Sequence, residues 1–344
     1  MTTRVTSFGP GRVNLIGEHT DYNQGLALPF AIAEGVTVRA RGLTDRRVEA
    51  LAVDLDERDS FTLDAVDPVG GWRGFVRGAF AELERSGVPV VGADLDISGT
   101  VPRGAGLSSS AALEVALVLA LLALAGAGEP DRIELARLCS RIENDWVGAQ
   151  TGLLDQIASL FGERDRALLI DFRSLNVRPV VLSLGDFELV TLDSGEKHTH
   201  AGSGYNERRA ECAEACGLLG VDSLREVGLS EACALPSPLA ARVRHVVTEN
   251  ARVGEAVGAL ERGDMLALGR LLDASHASLR DDYEISTPAV EDAVARCKQA
   301  GALGARIMGG GFGGSVLALM PPDASLLEGA VAVRPGPGAA VTES

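Results

Sequence analysis

The chain has 344 residues, of which 46% are hydrophobic, so it can bury a large core in one or two domains. Its formal net charge at pH 7 is -16, which argues against nucleic acid or an anionic membrane as a partner, since both need a basic face. The N-terminus lacks the charged start and apolar run of a signal peptide, and the apolar stretch 115–128 is too short to span a bilayer. We therefore expect a cytoplasmic monomer that acts on small molecules.

The cysteines also fit a cytoplasmic location. They are odd in number and lie in helix-like segments, which suits reduced thiols. There are five of them: Cys139, Cys212, Cys216, Cys233 and Cys297. Cys212 and Cys216 lie one helical turn apart and could form a metal site with His198 and His200. We favour the alternative, in which the cysteines are small buried residues and the histidines belong to a polar loop.

The first predicted element is a strand over 5–8, and the apolar alternation after it changes abruptly into a polar cluster. Glu18, His19 and Asp21 form this cluster, directly before a second predicted strand over 26–32. Such groups cannot all be buried cheaply without partners. A polyol would be a natural partner, because carboxylates and imidazole hydrogen-bond several hydroxyl groups at once. A solvated hairpin turn explains the residues equally well, so both interpretations stay open at this point.

The next segments alternate as strands do, over 36–41, 48–55 and 61–66. An amphipathic helix is predicted over 72–85, followed by a strand over 90–98 that leads into residues 102–110.

Residues 102–110 read Pro-Arg-Gly-Ala-Gly-Leu-Ser-Ser-Ser and run into an apolar helix that starts near Ser109. Gly104 and Gly106 allow backbone N–H groups to turn toward one point, where the helix dipole adds positive potential. This pattern predicts an anion cradle, and the serines could cap the helix or ligate a phosphate-bound Mg²⁺. A capped, buried helix after a glycine turn is the alternative. A Walker A loop is excluded because no Gly-Lys-[Ser/Thr] follows.

A capping pattern at Pro130, Asp131 and Glu134 predicts a helix that reaches about residue 147. Glu143 would sit beside its core-facing side, where an acid is usually solvated or paired. Asp155 lies in the first turn of the next helix, where a carboxylate can serve as a capping group. The remaining predicted strands are 167–172, 187–193, 305–308 and 315–320, and the remaining helices are 242–261, 265–279 and 287–300. Six residues at 309–314, five of them glycine, indicate that backbone or ligand comes very close there.

Two segments resemble a known family. Residues 11–29 are similar to the galactokinase signature, with the run Gly-Arg-Val-Asn-Leu-Ile-Gly-Glu-His-Thr-Asp-Tyr-Asn, and 102–110 resembles the phosphate loop of the GHMP kinases. These small-molecule kinases are named for galactose, homoserine, mevalonate and phosphomevalonate. The resemblance implies an α+β, two-domain GHMP-kinase fold with the active site in the cleft between domains. It divides the chain into 1–180 and 181–344, with the last strand returning to the first domain.

The resemblance also implies the reaction, which is ATP-dependent phosphorylation of the C1 hydroxyl of galactose to galactose 1-phosphate. Asp155 would be the catalytic base, with Arg12 as the cation beside it. The residues expected to bind the sugar are Glu18, His19, Asp21, Gly152 and Tyr205. Thr151 stands where many members have cysteine, and we expect this departure to matter little.

For the ATP side, the resemblance implies a phosphate loop, an adenine contact and a Mg²⁺ site. The phosphate loop would comprise Gly104, Gly106, Leu107, Ser108, Ser109 and Ser110. Trp72 and Phe75 fall where galactokinases place aromatic residues against adenine, although two aromatics three apart on a helix are commonly just core. Ser110 and Glu143 would ligate Mg²⁺.

Two rival functions belong to other classes. One is a sister sugar-1-kinase that acts on N-acetylgalactosamine or arabinose. The other is a catalytically silent sugar sensor on the same scaffold, although sensors of that type are damaged in the phosphate loop, whereas 108–111 and Asp155 are intact here.

Overall fold

The computed structural model describes residues 3–102, 106–149, 151–196, 201–325 and 327–343. Its helices are α1 (Trp72–Arg85), α2 (Ser109–Leu124), α3 (Arg132–Arg141), α4 (Leu154–Phe161), α5 (Ala201–Leu219), α6 (Leu229–Ala232), α7 (Leu239–Arg262), α8 (Met265–Asp281) and α9 (Pro288–Gln299). A π-helix, Ile142–Val147, continues directly from α3.

The strands are β1 (Arg4–Asn14), β2 (Leu26–Ala27), β3 (Pro29–Gly42), β4 (Arg47–Ala52), β5 (Glu57–Thr62), β6 (Ala93–Gly99), β7 (Arg166–Asp171), β8 (Asn176–Val181), β9 (Glu188–Asp193), β10 (Gly304–Ile307), β11 (Ser315–Met320), β12 (Ala330–Val333) and β13 (Ala340–Glu343). They form three sheets, ordered β13-β1-β3-β6-β4-β5, β10-β11-β9-β12 and β2-β7-β8.

The six-stranded sheet carries the first core. Helices α1 and α2 pack on it, and α2 is buried along almost its whole length between the sheet and its neighbouring helices. This position explains why a helix with Glu114 as its one charge is apolar all round rather than along one stripe.

The four-stranded sheet carries the second half of the fold, with α8 and α9 packed on β10. Strand β13 returns to the first sheet, where it pairs antiparallel with β1. Together, the helices and sheets form the predicted α+β architecture. The division at residue 180 stays a prediction.

The local structure confirms one sequence expectation and differs from the expected elements in two places. The capping pattern before α3 is confirmed, since the Asp131 side chain accepts hydrogen bonds from the N–H groups of Ile133 and Glu134. The helix expected to reach residue 147 becomes a π-helix at Ile142, so its last turns are wider than those of an α-helix. Strands β12 and β13 span four residues each, which is too short for an alternating pattern to stand out.

Strand β1 and helix α2 are in unusually close contact. The Ser7 hydroxyl donates to the Ala116 carbonyl at 2.6 Å, and a Cβ on Gly9 would lie 2.2 Å from the Ala112 oxygen. Where the strand passes the start of α2, the Arg12 N–H donates to the Leu107 carbonyl at 3.1 Å. The height of the α2 N-terminus above the sheet is therefore fixed by backbone contact.

We expect Gly9→Ala to lower the free energy of unfolding by about 1–3 kcal/mol, because the added methyl overlaps rigid backbone. Gly254→Ala is the matched control, since Gly254 is exposed within α7 and a Cβ there meets nothing within 4 Å. Alanine in a helix interior should stabilise the control by about 0.5–1 kcal/mol. Denaturant titration of both variants measures the difference, and equal effects would contradict the close packing.

Candidate active site

A cavity of about 480 Å³ opens where the two halves of the fold meet. Its walls come from β1 and the turn after it, the start of α2, the segment from Glu143 to Asp155, the start of α5 and the turn after β10. A larger groove of about 760 Å³ lies outside the four-stranded sheet, and none of the predicted site residues lines it. The smaller cavity is therefore the candidate active site, because most of the residues predicted from sequence line it.

Asp155 forms a two-point ion pair with Arg12 at the base of the cavity. Arg12 Nε lies 2.7 Å from Asp155 Oδ1, and Nη2 lies 2.9 Å from Oδ2. The remaining guanidinium nitrogen, Nη1, donates to the Gly106 carbonyl at 2.7 Å. Arg12 is buried, whereas 24% of the Asp155 side chain is exposed to the cavity. The planar fork therefore fixes the carboxylate relative to both β1 and the glycine turn.

The serine turn before α2 is shaped by left-handed backbone. Gly106 has φ 68° and Ser108 has φ 55°, and α2 begins at the next residue. No side chain caps the N-terminus of α2, which weighs against the capped-helix interpretation. The Ser108 hydroxyl donates to Asp155 instead. Because Gly106 and residues 107–110 line the cavity, the helix N-terminus faces it and favours an anion there. Gly104 lies outside the described residues.

Glu143 projects from the π-helix into the same cavity. Thr151 Oγ1 donates to its Oε2 at 2.7 Å, Gln156 Nε2 lies 3.1 Å from the same oxygen, and Ser110 also donates to the carboxylate. Burial is the main cause that raises the pKa of Glu143, and the nearby charge of Asp155 adds to it. Such irregular helical turns often mark functional sites. Thr151 was expected to matter little, but the hydrogen bond from its hydroxyl helps to hold the Glu143 carboxylate in place.

The donor set at Ser110 and Glu143 fits Mg²⁺, which prefers a few carboxylate or hydroxyl oxygens together with substrate phosphates. In the described part of the chain, no group of three or more His, Cys, Asp or Glu could hold a metal by itself. In the alternative metal site with Cys212 and Cys216, His198 and His200 lie outside the described residues. Cys212 itself is buried and hydrogen-bonded to Tyr283.

A second acid lies behind Glu143 and was not predicted to belong to the site. Glu114 is completely buried in α2, and burial raises its pKa well above the ordinary value, with the charge of Glu143 as a further cause. Gln156 Nε2 lies 2.8 Å from Glu114 Oε1 as well as contacting Glu143. One acid in an otherwise apolar helix was the sequence signal for this position.

The sugar-side residues predicted from sequence converge on the opposite wall. Glu18 Oε1 accepts from the Gly309 N–H at 2.8 Å and lies 2.8 Å from Arg306 Nη2. Arg306 is fully buried and also donates to the carbonyls of Asn14 and Leu15. Its sequence position within a short apolar strand gave no sign of this role.

Asp21 and Gly152 are in direct contact. A Cβ on Gly152 would lie 1.9 Å from Asp21 Oδ2, so a side chain there would displace the carboxylate. Burial raises the pKa of Asp21 to about 6, and the charges of Asp155 and Glu18 add to the shift. The Tyr205 ring lies next to His19, with ring centroids 5.2 Å apart.

Comparison with known proteins agrees with this geometry. The galactokinase galactose-binding signature matches residues 2–41, the GHMP kinases N terminal domain matches 74–163, and the GHMP kinases C terminal domain matches 256–334. The galactokinase of Mycobacterium tuberculosis (strain ATCC 25618 / H37Rv) is 46% identical over 330 residues, which are 93% of this chain and 90% of that protein. The chain belongs to the galactokinase family.

Other members and relatives extend the match. The galactokinase of Roseiflexus sp. (strain RS-1) is 45% identical, covering 90% of this chain and 82% of its own. The crystal structure of Lactococcus lactis galactokinase complexed with galactose superposes with a TM-score of 0.91 at 35% identity, covering 98% of this chain and 95% of that one. Methanococcus jannaschii mevalonate kinase, at 17% identity and a TM-score of 0.69 over 98% of this chain and 99% of its own, shares the fold.

Two of the residues expected from the galactokinase pattern do not line the cavity. Phe75 is 8% exposed and belongs to the core under the six-stranded sheet. Trp72 packs at the edge of that core and donates its Nε1 hydrogen to Glu57 at 2.9 Å. Their contact with adenine stays a prediction.

No described helix combines the length and the apolar character that crossing a membrane requires.

The raised pKa of Asp21 makes a prediction about stability. The carboxyl has its ordinary value near 3.8 when unfolded and about 6 when folded, so its contribution to folding is present below pH 3.8 and is lost as the pH rises through 6. Asp21→Asn, which is neutral at every pH, should therefore raise Tm most at pH 7–8, and the gain should shrink toward pH 4.

Thermal unfolding of the ligand-free protein across this pH range measures the gain. Asp186→Asn is the control, because that residue is exposed and does not line the cavity. A gain in Tm that does not change with pH would contradict the assignment.

Proposed function

We propose that this chain transfers the γ-phosphoryl group of ATP to the C1 hydroxyl of galactose, which gives galactose 1-phosphate and ADP. One observation carries the proposal. The Asp155 carboxylate, held by Arg12, lies in a single cavity between the polar cluster at 18–21 and the serine turn at 106–110. A sugar bound at the first and a triphosphate bound at the second would meet at this carboxylate.

The chemistry follows from this arrangement. A sugar hydroxyl is a weak nucleophile, and Asp155 accepts its proton as the oxygen bonds to the γ-phosphorus. The bond from that phosphorus to the bridging oxygen of ADP breaks, and ADP leaves. Arg12 keeps the carboxylate in orientation and stabilises negative charge that develops beside it. Phosphoryl transfer needs mainly positioning and charge neutralisation, which fits a site built from backbone amides and paired charges.

On the sugar side, the proposed ligands are Glu18, His19, Asp21, Gly152 and Tyr205. All five line the cavity, and they offer carboxylate acceptors, an imidazole and a phenol. The absence of a side chain at Gly152 leaves room for the Asp21 carboxylate.

On the ATP side, the backbone of 106–110 and the N-terminus of α2 would hold the phosphates, together with Gly104. We propose Trp72 and Phe75 as adenine contacts on the family pattern. Helix α1, which carries them, packs against the π-helix that bears Glu143.

Mg²⁺ would be held by Ser110 and Glu143, and when bound it would neutralise the charge of the phosphates. Glu143→Gln keeps the shape and the hydrogen-bonding size of the side chain but removes a charged ligand. We expect it to weaken Mg²⁺-dependent ATP binding about tenfold or more, while galactose binding stays within about twofold. Calorimetric titrations with and without Mg²⁺ measure both affinities, and Glu134→Gln is the control because Glu134 is exposed on α3. Unchanged Mg²⁺ dependence would remove Glu143 from the metal site.

We also propose a cytoplasmic monomer. All five cysteines are free, which suits a reducing compartment. The described residues proposed to bind the sugar and the phosphates line one cavity of a single chain, which fits a monomer.

The central test combines Asp155→Asn with a panel of sugars. The wild-type protein should release ADP with galactose and much less with glucose, N-acetylgalactosamine or arabinose, as measured in a coupled assay. Asp155→Asn should lower kcat by about 100- to 10,000-fold, because the proton acceptor is lost, while galactose affinity measured by calorimetry stays within about threefold.

Asp186→Asn serves again as the exposed control and should keep full activity. A fully active Asp155→Asn variant would exclude the base. A wild-type protein that releases no ADP with any sugar would exclude the kinase, and preference for another sugar would correct the substrate.

A further inference from the structure

A chain of buried polar groups runs from His19 away from the cavity. His19 Nδ1 lies 2.7 Å from the Tyr22 hydroxyl, which lies 3.0 Å from the Tyr283 hydroxyl. The Tyr283 hydroxyl in turn lies 3.0 Å from Cys212 Sγ. Cys212 and Tyr283 are completely or almost completely buried, so these groups have little access to water and depend on one another for hydrogen bonds. The mechanism above uses none of the three groups behind His19.

The hydrogen bonds along this series of groups run in one of two directions. Each of the two phenols and the thiol has one hydrogen, so each can donate to only one neighbour. At the far end, Asn23 Nδ2 lies 3.6 Å from Cys212 Sγ and can only donate, so the sulfur accepts a hydrogen bond there. The same nitrogen donates to the His19 carbonyl at 2.9 Å, which fixes the orientation of the amide.

With the sulfur accepting from Asn23, its own hydrogen is free to point toward Tyr283. Tyr283 then donates to Tyr22, and Tyr22 donates to His19 Nδ1. This direction uses the hydrogen of each of the three groups within the series, whereas the reverse direction leaves the thiol hydrogen without an acceptor among them. The ring nitrogen at the end is then an acceptor.

The protonation state of His19 permits this direction. Burial is the main cause that lowers the pKa of His19 to about 3, so the ring is neutral near pH 7. A neutral imidazole that accepts at Nδ1 carries its hydrogen on Nε2. Nε2 is buried and forms no hydrogen bond to a described residue. The backbone of Gly310 lies near the ring and favours a proton on it.

We propose that Tyr22 is a positioning residue that holds His19 in the Nε2–H form, and that His19 therefore meets the substrate only as a hydrogen-bond donor. Tyr283 and Cys212 orient the Tyr22 hydrogen. The identity of the substrate as a sugar rests on the proposed function, whereas the form of the ring does not. A donor-only imidazole selects for a substrate atom that accepts a hydrogen bond at this point of the cavity.

The first test needs no substrate. Two-dimensional ¹H–¹⁵N NMR distinguishes the two neutral forms of histidine, and the signals of His19 among the five histidines are identified by their loss in His19→Gln. The wild-type protein should show the Nε2–H pattern. Tyr22→Phe should show a mixture of both forms, because Nδ1 loses its donor.

Tyr283→Phe is the matched control. It removes a buried phenol hydroxyl of the same kind but leaves Tyr22 free to donate, so the Nε2–H pattern should persist. An Nδ1–H pattern in the wild-type protein would overturn the proposal, even if Tyr22→Phe failed to fold. An unchanged Nε2–H pattern in a folded Tyr22→Phe variant would also overturn it.

The second test uses turnover. Tyr22→Phe should raise the sugar KM about three- to tenfold, which corresponds to one hydrogen bond, and should leave the KM for ATP unchanged. Tyr283→Phe should change the sugar KM by less. Deoxy and deoxyfluoro analogues of galactose add a direct probe, since fluorine accepts a hydrogen bond weakly but cannot donate one.

At the hydroxyl that faces His19, the fluoro analogue should bind better than the deoxy analogue in the wild-type protein and should lose this advantage in His19→Gln. Equal binding of all analogue pairs would contradict a donor at Nε2. Failure of every sugar to react would reject the proposed function while leaving the NMR result to decide the state of the ring.

Discussion

The ion pair between Arg12 and Asp155 is the interaction on which the arrangement of the cavity depends. The two residues are 143 positions apart, and the same guanidinium reaches Gly106, which is 94 positions from Arg12. One planar group thus sets the positions of a strand, a glycine turn and the first turn of a helix. The close contact of the Gly9 backbone with α2 supports this arrangement, because it fixes the distance of that helix from the sheet. In the proposed reaction, the carboxylate that meets both substrates is therefore oriented before either arrives.

Several acidic groups lie in or beside the cavity, and only some of them are paired with a buried arginine. Asp155 and Glu18 each lie against a buried arginine, Arg12 and Arg306. Among the described residues, no arginine forms such an ion pair with Asp21, Glu143 or Glu114, and burial raises the pKa of each. The two paired acids are fixed by charge. The other three are held by hydrogen bonds or contact. Asp21 and Glu143 line the cavity and offer acceptors for hydroxyl groups or a cation, whereas Glu114 is buried behind Glu143. This division matches a site in which a sugar binds on one side and phosphates with Mg²⁺ on the other.

The parts of the site that could be predicted from sequence are those in which local pattern and chemistry coincide. The polar run at 18–21 interrupts an apolar alternation, and the serine turn precedes an apolar helix, so both were visible in one short window. Arg306 was not, because its partners Glu18 and Asn14 lie about three hundred positions away in the chain. The same holds for Thr151, whose importance depends on a wider helical turn that brings Glu143 within 2.7 Å. Helix α1 is ambiguous for a different reason. Two aromatic residues three positions apart fit a core position, where Phe75 lies, as well as a ligand contact, so their contact with adenine stays a prediction.

The most direct measurement is a crystal structure of the protein with galactose and a non-hydrolysable ATP analogue. The account predicts that an Asp155 oxygen lies within about 3.2 Å of the C1 hydroxyl oxygen, with Arg12 still paired to the carboxylate and the γ-phosphate on the 106–110 amides. A complex in which the sugar places C1 far from Asp155, or in which the phosphates bind away from the start of α2, would contradict it.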